Sequence, residues 1–305
     1  MQQLDEPEGG GAIFLLMPVG GRATALGQAG VADGGSSESA FWNPAGLAQL
    51  RHNEIAIHHA ITFAANNTAV SGYITANRLG VFGASAYLVD FGTQEIRPGP
   101  GPPTGRISPK NVELVASYAT SLNGDLFLGV NYKLIQFRQE CSGDCTLFPS
   151  IVGTTHGVDV GAQYTIGSND DLTLGVALQH AGFRLQVENQ AQADPLPTRV
   201  QFGIAYQVTL PTVEGVEQPL DARLLIDVQE PLDDFTDPDA RVGLELGVGD
   251  LVRLRTGYAF LDSESRGPSI GIGVRAGRVG IDFARVFFVS SSFDEPVYIS
   301  VRAAL

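Results

Sequence analysis

The chain has 305 residues, of which 44% are hydrophobic and only 17% charged, and it carries 37 glycines and a formal net charge of −14. So acidic a chain is a poor polyanion ligand, and no nucleic-acid partner is expected. No run is long and apolar enough to form a membrane-spanning helix.

In chain order, residues 1–11 are acidic and end in Gly9-Gly-Gly11. A secretion signal would be basic there, so the chain reads as a mature form. Ala12-Ile-Phe-Leu-Leu-Met17 is too short to span a bilayer. Val19-Gly-Gly-Arg22 leads into residues 23–29, which suit a short helix, and residues 36–40 suit another with Ser36 or Ser37 as its N-cap. Asn43-Pro44 then enforces a turn, because the residue before proline avoids helical geometry. This compact segment differs from everything after it. The expected division is residues 1–52 as a tail and luminal hatch, and 53–305 as a barrel.

From residue 53 onward apolar and polar residues alternate. The period of two predicts fourteen strands, at 53–62, 67–76, 79–91, 111–121, 125–138, 155–166, 172–182, 198–209, 221–229, 240–248, 251–261, 268–277, 279–289 and 297–305. Tight turns alternate with longer connections at 92–110, 139–154, 183–197, 230–239, 262–267 and 290–296. Only 62–66 (short) and 211–219 (long) break that alternation. An even number of strands with long connections on one side fits a closed, all-β, 14-stranded antiparallel transmembrane barrel in the bacterial outer membrane. On that reading both termini are periplasmic, the long loops are extracellular, and lipid or detergent surrounds the wall. A soluble β-sandwich would alternate equally well, but its solvent face would carry Lys, Glu and Thr rather than Gly, Ala, Ser and Gln.

One face holds Val200, Phe202, Ile204, Tyr206, Val242, Leu244, Leu246, Val252, Leu254, Tyr258, Phe260, Val297, Ile299 and Val301, and is assigned to lipid. The other holds Arg199, Arg223, Asp227, Arg241, Glu245, Arg253, Arg255, Arg275, Asp282 and Arg302. These charges require a wet or mutually paired lumen. Either they pair among themselves and with hatch carboxylates, or they form a cationic path for an anionic head group. Arg285 shares parity with Ile281 and Phe283, which predicts a bulge or a place at the outer rim.

Cys141 and Cys145 are spaced to close a small disulfide loop; as a metal pair they would make only half a zinc site. His58 and His59 point to opposite faces of one strand, His52 lies in a connector, and His156 and His180 lie near outer strand ends. No motif joins a histidine to a nucleophile, so an enzyme is not expected, nor a cofactor or metal site. Gly271 and Gly273 lie inside a strand, which excludes a nucleotide loop. Residues 230–239 are acidic but lack the spacing of a calcium loop.

Residues 18–32, Pro-Val-Gly-Gly-Arg-Ala-Thr-Ala-Leu-Gly-Gln-Ala-Gly-Val-Ala, followed by Ser39-Ala-Phe-Trp-Asn-Pro-Ala-Gly-Leu-Ala48, resemble the N-terminal signature of the PorV/PorQ family within the FadL-like group of long-chain fatty-acid transporters. The resemblance implies a fourteen-stranded barrel with a hatch that carries Arg22, Asn43 and Pro44. In fatty-acid transporters such a hatch gates a route for hydrophobic molecules, with a sideways opening in the wall. In the type IX secretion branch the barrel instead binds secreted or surface proteins. Leu305 departs from the pattern, standing where an aromatic residue is usual. A transporter of a lipid-like ligand should show an apolar pocket lined by Phe14, Leu15, Phe41 and Trp42. An adaptor should show a sealed lumen and a platform built from 92–110, 139–154 and 183–197.

Overall fold

The computed structural model describes residues 12–146, 148–167, 171–186, 193–211, 218–232, 238–261, 266–289 and 294–305. The expected connections at 183–197, 211–219, 230–239, 262–267 and 290–296 therefore lie partly outside the described residues.

Fourteen strands form the wall: β1 Glu54–Ile61, β2 Asn66–Thr75, β3 Val81–Asp90, β4 Gly105–Ser121, β5 Leu126–Gly143, β6 Ile151–Ile166, β7 Leu172–Gly182, β8 Arg199–Thr209, β9 Leu220–Pro231, β10 Asp239–Val248, β11 Val252–Phe260, β12 Gly267–Ala276, β13 Val279–Val286 and β14 Val297–Ala304. Each pairs antiparallel with the next, and β14 returns to β1 with Glu54 opposite Ala304, so the sheet closes. Closure leaves no unpaired edge, which lipid would not tolerate.

Alternation decides which way each side chain points. On β12, Ile270, Ile272 and Val274 are exposed on the outer face while Ser269 is buried. The outer face as a whole carries Ile57, Val70, Phe82, Tyr132, Val160, Phe202, Leu254, Phe283 and their neighbours, a lipid-facing surface. The luminal face is buried and polar, with Asn131, Asp159, Gln163, Gln201 and Ser300 among its least exposed residues.

Three strands outrun expectation. β4 and β5 pair as far as Gly105 opposite Gly143, and β5 and β6 as far as Gln139 opposite Ile151. The predicted loops 92–110 and 139–154 are thus about half sheet, extended at one edge by a short strand, Gln94–Ile96. Pro109 and the glycines there hid the pattern, because they interrupt the apolar alternation although the backbone still pairs. Cys141 and Cys145 close a disulfide at the tip, with Cα atoms 5.9 Å apart.

Arg285 needs no bulge. It keeps register opposite Ile270 and Val297 at the long-connection end of β13, pairs with Glu295, and lies 5.4 Å from the Phe287 ring centre.

The lumen holds a 3-10 turn at Ile13–Leu16, helix α1 at Gly21–Ala25, helix α2 at Ser39–Trp42 and a 3-10 segment at Pro44–Gln49. Both helices are shorter than expected. Neither Ser36 nor Ser37 caps α2; Glu38 precedes it, and the Ser37 N–H is taken by Glu54 Oε1 at 2.7 Å. Tertiary acceptors have replaced the local cap. The first described residues lie at the long-connection end, where Phe14 packs on Tyr87 and Asn67 reaches the Met17 sulfur. Leu305 lies at the short-turn end, its N–H donating to Asn53 O.

Candidate functional site

The hatch and the luminal wall that grips it form the site. Glycines of neighbouring strands meet in register pairs, Gly129 with Gly161, Gly175 with Gly203 and Gly243 with Gly257, and each pair faces hatch backbone. A Cβ at Gly129 would lie 2.2 Å from Pro44 C, one at Gly175 2.4 Å from Val31 O, and one at Gly257 2.1 Å from Gly27 N. Mid-lumen, hatch and wall touch backbone to backbone with no room for a side chain between them.

Polar side chains fix the hatch in place. Asn43 donates through Nδ2 to Val31 O at 2.8 Å and to wall carbonyls of Ala162 and Val176, and its Oδ1 accepts the Ala45 N–H at 3.1 Å. With Pro44 next in the chain, this one asparagine ties two hatch segments to β6 and β7. Asp227 of β9 accepts the Gly30 and Val31 N–H groups at 2.7 and 2.8 Å. Trp42 Nε1 donates to Val19 O at 3.0 Å, and Gln179 holds the Phe41 and Trp42 carbonyls.

Most of the luminal arginines are paired. Arg22 of α1 reaches Asp33 at 2.7 Å and Glu245 at 2.6 Å; Arg223 meets Asp33 at 2.5 Å. Arg255 bridges Glu245 at 2.5 Å and Asp282 at 2.6 Å, Arg302 takes the other Asp282 oxygen at 2.9 Å, and Arg253 pairs with Asp221. This ladder binds the hatch to strands β9–β14. Burial alone would raise the Asp33 carboxyl, but the Arg22 and Arg223 charges outweigh it and hold the group well below the usual carboxylate range. Glu38 makes no ion pair among the described residues, and the more distant Arg302 and Arg22 charges do not offset its burial. Burial pushes it up to about 7, although its Oε1 accepts the Ala23 N–H at 2.7 Å.

Three arginines stand outside the ladder. Arg275 is exposed at the short-turn mouth. Arg241 donates to Gln229 at 2.7 Å and lies 3.7 Å from Asp239, while Arg199 makes no ion pair among the described residues. The Nε atoms of both Arg199 and Arg241 are buried without a partner among the described residues. These two line a small cavity of about 40 Å³ on the long-connection side of the hatch, together with Leu15, Met17, Phe41, Trp42 and Tyr87. Phe14 does not line it, but packs in the adjoining apolar cluster with Tyr87, Val89, Leu185 and Leu196. On the other side of the hatch a vestibule of about 930 Å³ opens at the short-turn end.

One luminal cluster went unnamed in the sequence. Lys133 lies 2.9 Å from Glu113, 2.8 Å from Asp159 and 3.0 Å from His180 Nδ1, all buried. The signal was available: Glu113, Lys133 and Asp159 carry luminal parity in the three longest strands. Asp159 also marks a break in pairing between Val158 and Val160, where His180 takes φ 57° and donates its N–H to Asp159 at 2.8 Å. Among the described residues no group of His, Cys, Asp and Glu has the arrangement of a metal site.

The closed fourteen-stranded antiparallel wall matches the fold of solved FadL-like transporters and channels. The fold is similar to the toluene transporter TbuX of Ralstonia pickettii (TM-score 0.61, 13% identity, 94% of this chain and 98% of that one). It is likewise similar to the monoaromatic hydrocarbon channel CymD (0.63, 13%, 97% and 99%) and to a Pseudomonas aeruginosa FadL homologue (0.53, 11%, 94% and 99%). The model of an uncharacterised protein family, UPF0164, matches residues 10–305, and the chain belongs to that family. No curated protein sequence matches it.

Proposed function

We propose that this chain is an outer-membrane barrel that takes up hydrophobic or amphipathic small molecules and performs no catalysis. The long connections face outward, and the ligand is first held between the hatch and the β7–β10 wall. The observation that carries this reading is the pair Arg199 and Arg241, whose Nε groups are buried without acceptors among the described residues, above an apolar floor of Leu15, Met17, Phe41 and Trp42. An anionic head group satisfies the arginines while its tail lies on the floor. The cavity is smaller than any such ligand, so binding moves residues 12–19. The pairing break at β6–β7 adjoins His180, which lines the same cavity, and is the candidate for the sideways exit that the FadL resemblance implies.

The test is lipid extraction from purified protein with identification by mass spectrometry, followed by a binding titration of the recovered species. Stoichiometric acyl ligand, bound about ten-fold or more weakly by Arg199→Gln/Arg241→Gln, supports the reading. Protein that carries no amphipath and binds none refutes it.

A second reading, the PorV/PorQ type of adaptor for secreted or surface proteins, is favoured by the tall β4–β6 extension with its disulfide-closed tip. Deleting that extension while retaining ligand uptake separates the two.

A further inference from the structure

At the short-turn end, the vestibule of about 930 Å³ is of a size that holds a small molecule. On its wall three residues stand in one row across three strands. Arg275 of β12 is registered opposite Gly280 of β13, and Gly280 opposite Arg302 of β14. All three have luminal parity, since the adjacent Val274, Ile281 and Val301 are exposed on the lipid face. At the usual strand spacing the two arginine Cα atoms lie roughly 10 Å apart across the row, and the concave wall turns their side chains toward each other. The space between them is open: a Cβ at Gly280 would meet only Arg302 Nη2, at 3.8 Å.

The surrounding charges leave this row only partly committed. Arg302 gives Nη2 to Asp282 at 2.9 Å, but its Nε has no partner among the described residues. Arg275 is exposed and makes no ion pair among the described residues. Most nearby carboxylates already have a partner, although Glu38, whose Oε1 accepts the Ala23 N–H at 2.7 Å, keeps Oε2 unpartnered among the described residues. Asp282 is also held by Arg255 at 2.6 Å, Glu54 accepts the Ser37 N–H at 2.7 Å, and Asp250 lies 3.8 Å from Arg253. In a chain of net charge −14, two arginines facing each other over a glycine are a local exception that needs a chemical reason.

We propose that the Arg275–Gly280–Arg302 row is an anion site for the phosphate or carboxylate group of a molecule in the vestibule. The glycine keeps the floor clear, so the anion can approach the backbone while a guanidinium closes on it from each side. The site is independent of the uptake reading, because Arg199 and Arg241 lie across the hatch from it. The anion is either free in solution or the head group of a lipid.

The experiment uses the full chain in phosphate-free detergent, with folding checked by heat-modifiable gel migration. Inorganic phosphate and dihexanoyl phosphatidic acid are titrated by calorimetry into wild type, Arg275→Gln and Gly280→Asp. Arg275 is exposed, so its replacement leaves the barrel folded. Saturable phosphate binding that weakens about ten-fold or more in Arg275→Gln, and is lost when a carboxylate fills the row in Gly280→Asp, supports a free anion. The same pattern with phosphatidic acid alone supports a lipid head group. Binding of neither probe, or binding that both substitutions leave unchanged, overturns the proposal.

Discussion

Seating the hatch on glycine makes a sharp prediction for Gly257→Ala. Gly257 and Gly243 face each other across β10 and β11, and the hatch chain crosses them at Leu26 and Gly27. The new Cβ would lie 2.1 Å from Gly27 N and 2.2 Å from Leu26 C, whereas ordinary contact begins at 3.4 Å; something must yield by about 1.3 Å (3.4 − 2.1). Both obstructing atoms are backbone, so no rotamer change relieves the clash. Gly27 is further held at φ 66°, with its N–H 3.1 Å from Ser269 Oγ. Overpacking of this kind costs about 1–3 kcal/mol. The wall is closed by fourteen ladders and the hatch by scattered contacts, so the hatch moves. Gly257→Ala should migrate as a folded barrel, conduct ions more readily in planar bilayers and exchange amide hydrogens faster over residues 21–49. Gly72→Ala is the control, because its Cβ would meet nothing nearer than 3.8 Å. Equal conductance and equal exchange in the two variants would refute the direct seating of hatch on wall.

Arg22→Ala should cost the hatch about 2 kcal/mol, because Asp33 and Glu245 each lose a charged hydrogen bond while keeping Arg223 and Arg255; the check is exchange protection of α1 against denaturant. The Glu38 pKa, raised to about 7 from an ordinary 4.5, has a definite sign. Protonation favours the folded hatch, so its stability is full below pH 4.5 and is lost as pH rises through 7, by about 3 kcal/mol in total. Glu38→Gln should flatten that slope, and a slope that persists in the variant contradicts the assignment. Replacing Cys141 and Cys145 by serine removes a five-residue loop constraint of about 2 kcal/mol. The effect should be confined to protease sensitivity of residues 139–150, with barrel melting unchanged.

The fold was legible because lipid imposes a rule that every strand must obey. A charge on the outer face costs about 2–4 kcal/mol, so Ile270, Ile272 and Val274 must all face one way, and their spacing records it. Where that rule stops, the reading stopped as well. Residues 105–110 and 139–143 carry no apolar alternation and passed for loops, although their backbones pair. The disulfide was legible from spacing.

The luminal residues were legible as a set but not in their partners. Parity alone separated Arg199, Arg255 and Asp282 from the lipid face. It could not distinguish Arg255, bound between Glu245 and Asp282, from Arg199, which makes no ion pair among the described residues, because those contacts depend on cross-strand register and on how the wall curves across the lumen. Nor could it show that Gly129, Gly175 and Gly257 were spaced to admit hatch backbone. Local sequence determines which side of the wall a residue occupies, since that depends only on its neighbours along one strand. Closure of the cylinder around residues 12–50 determines what it meets there, since that depends on the whole circumference at once.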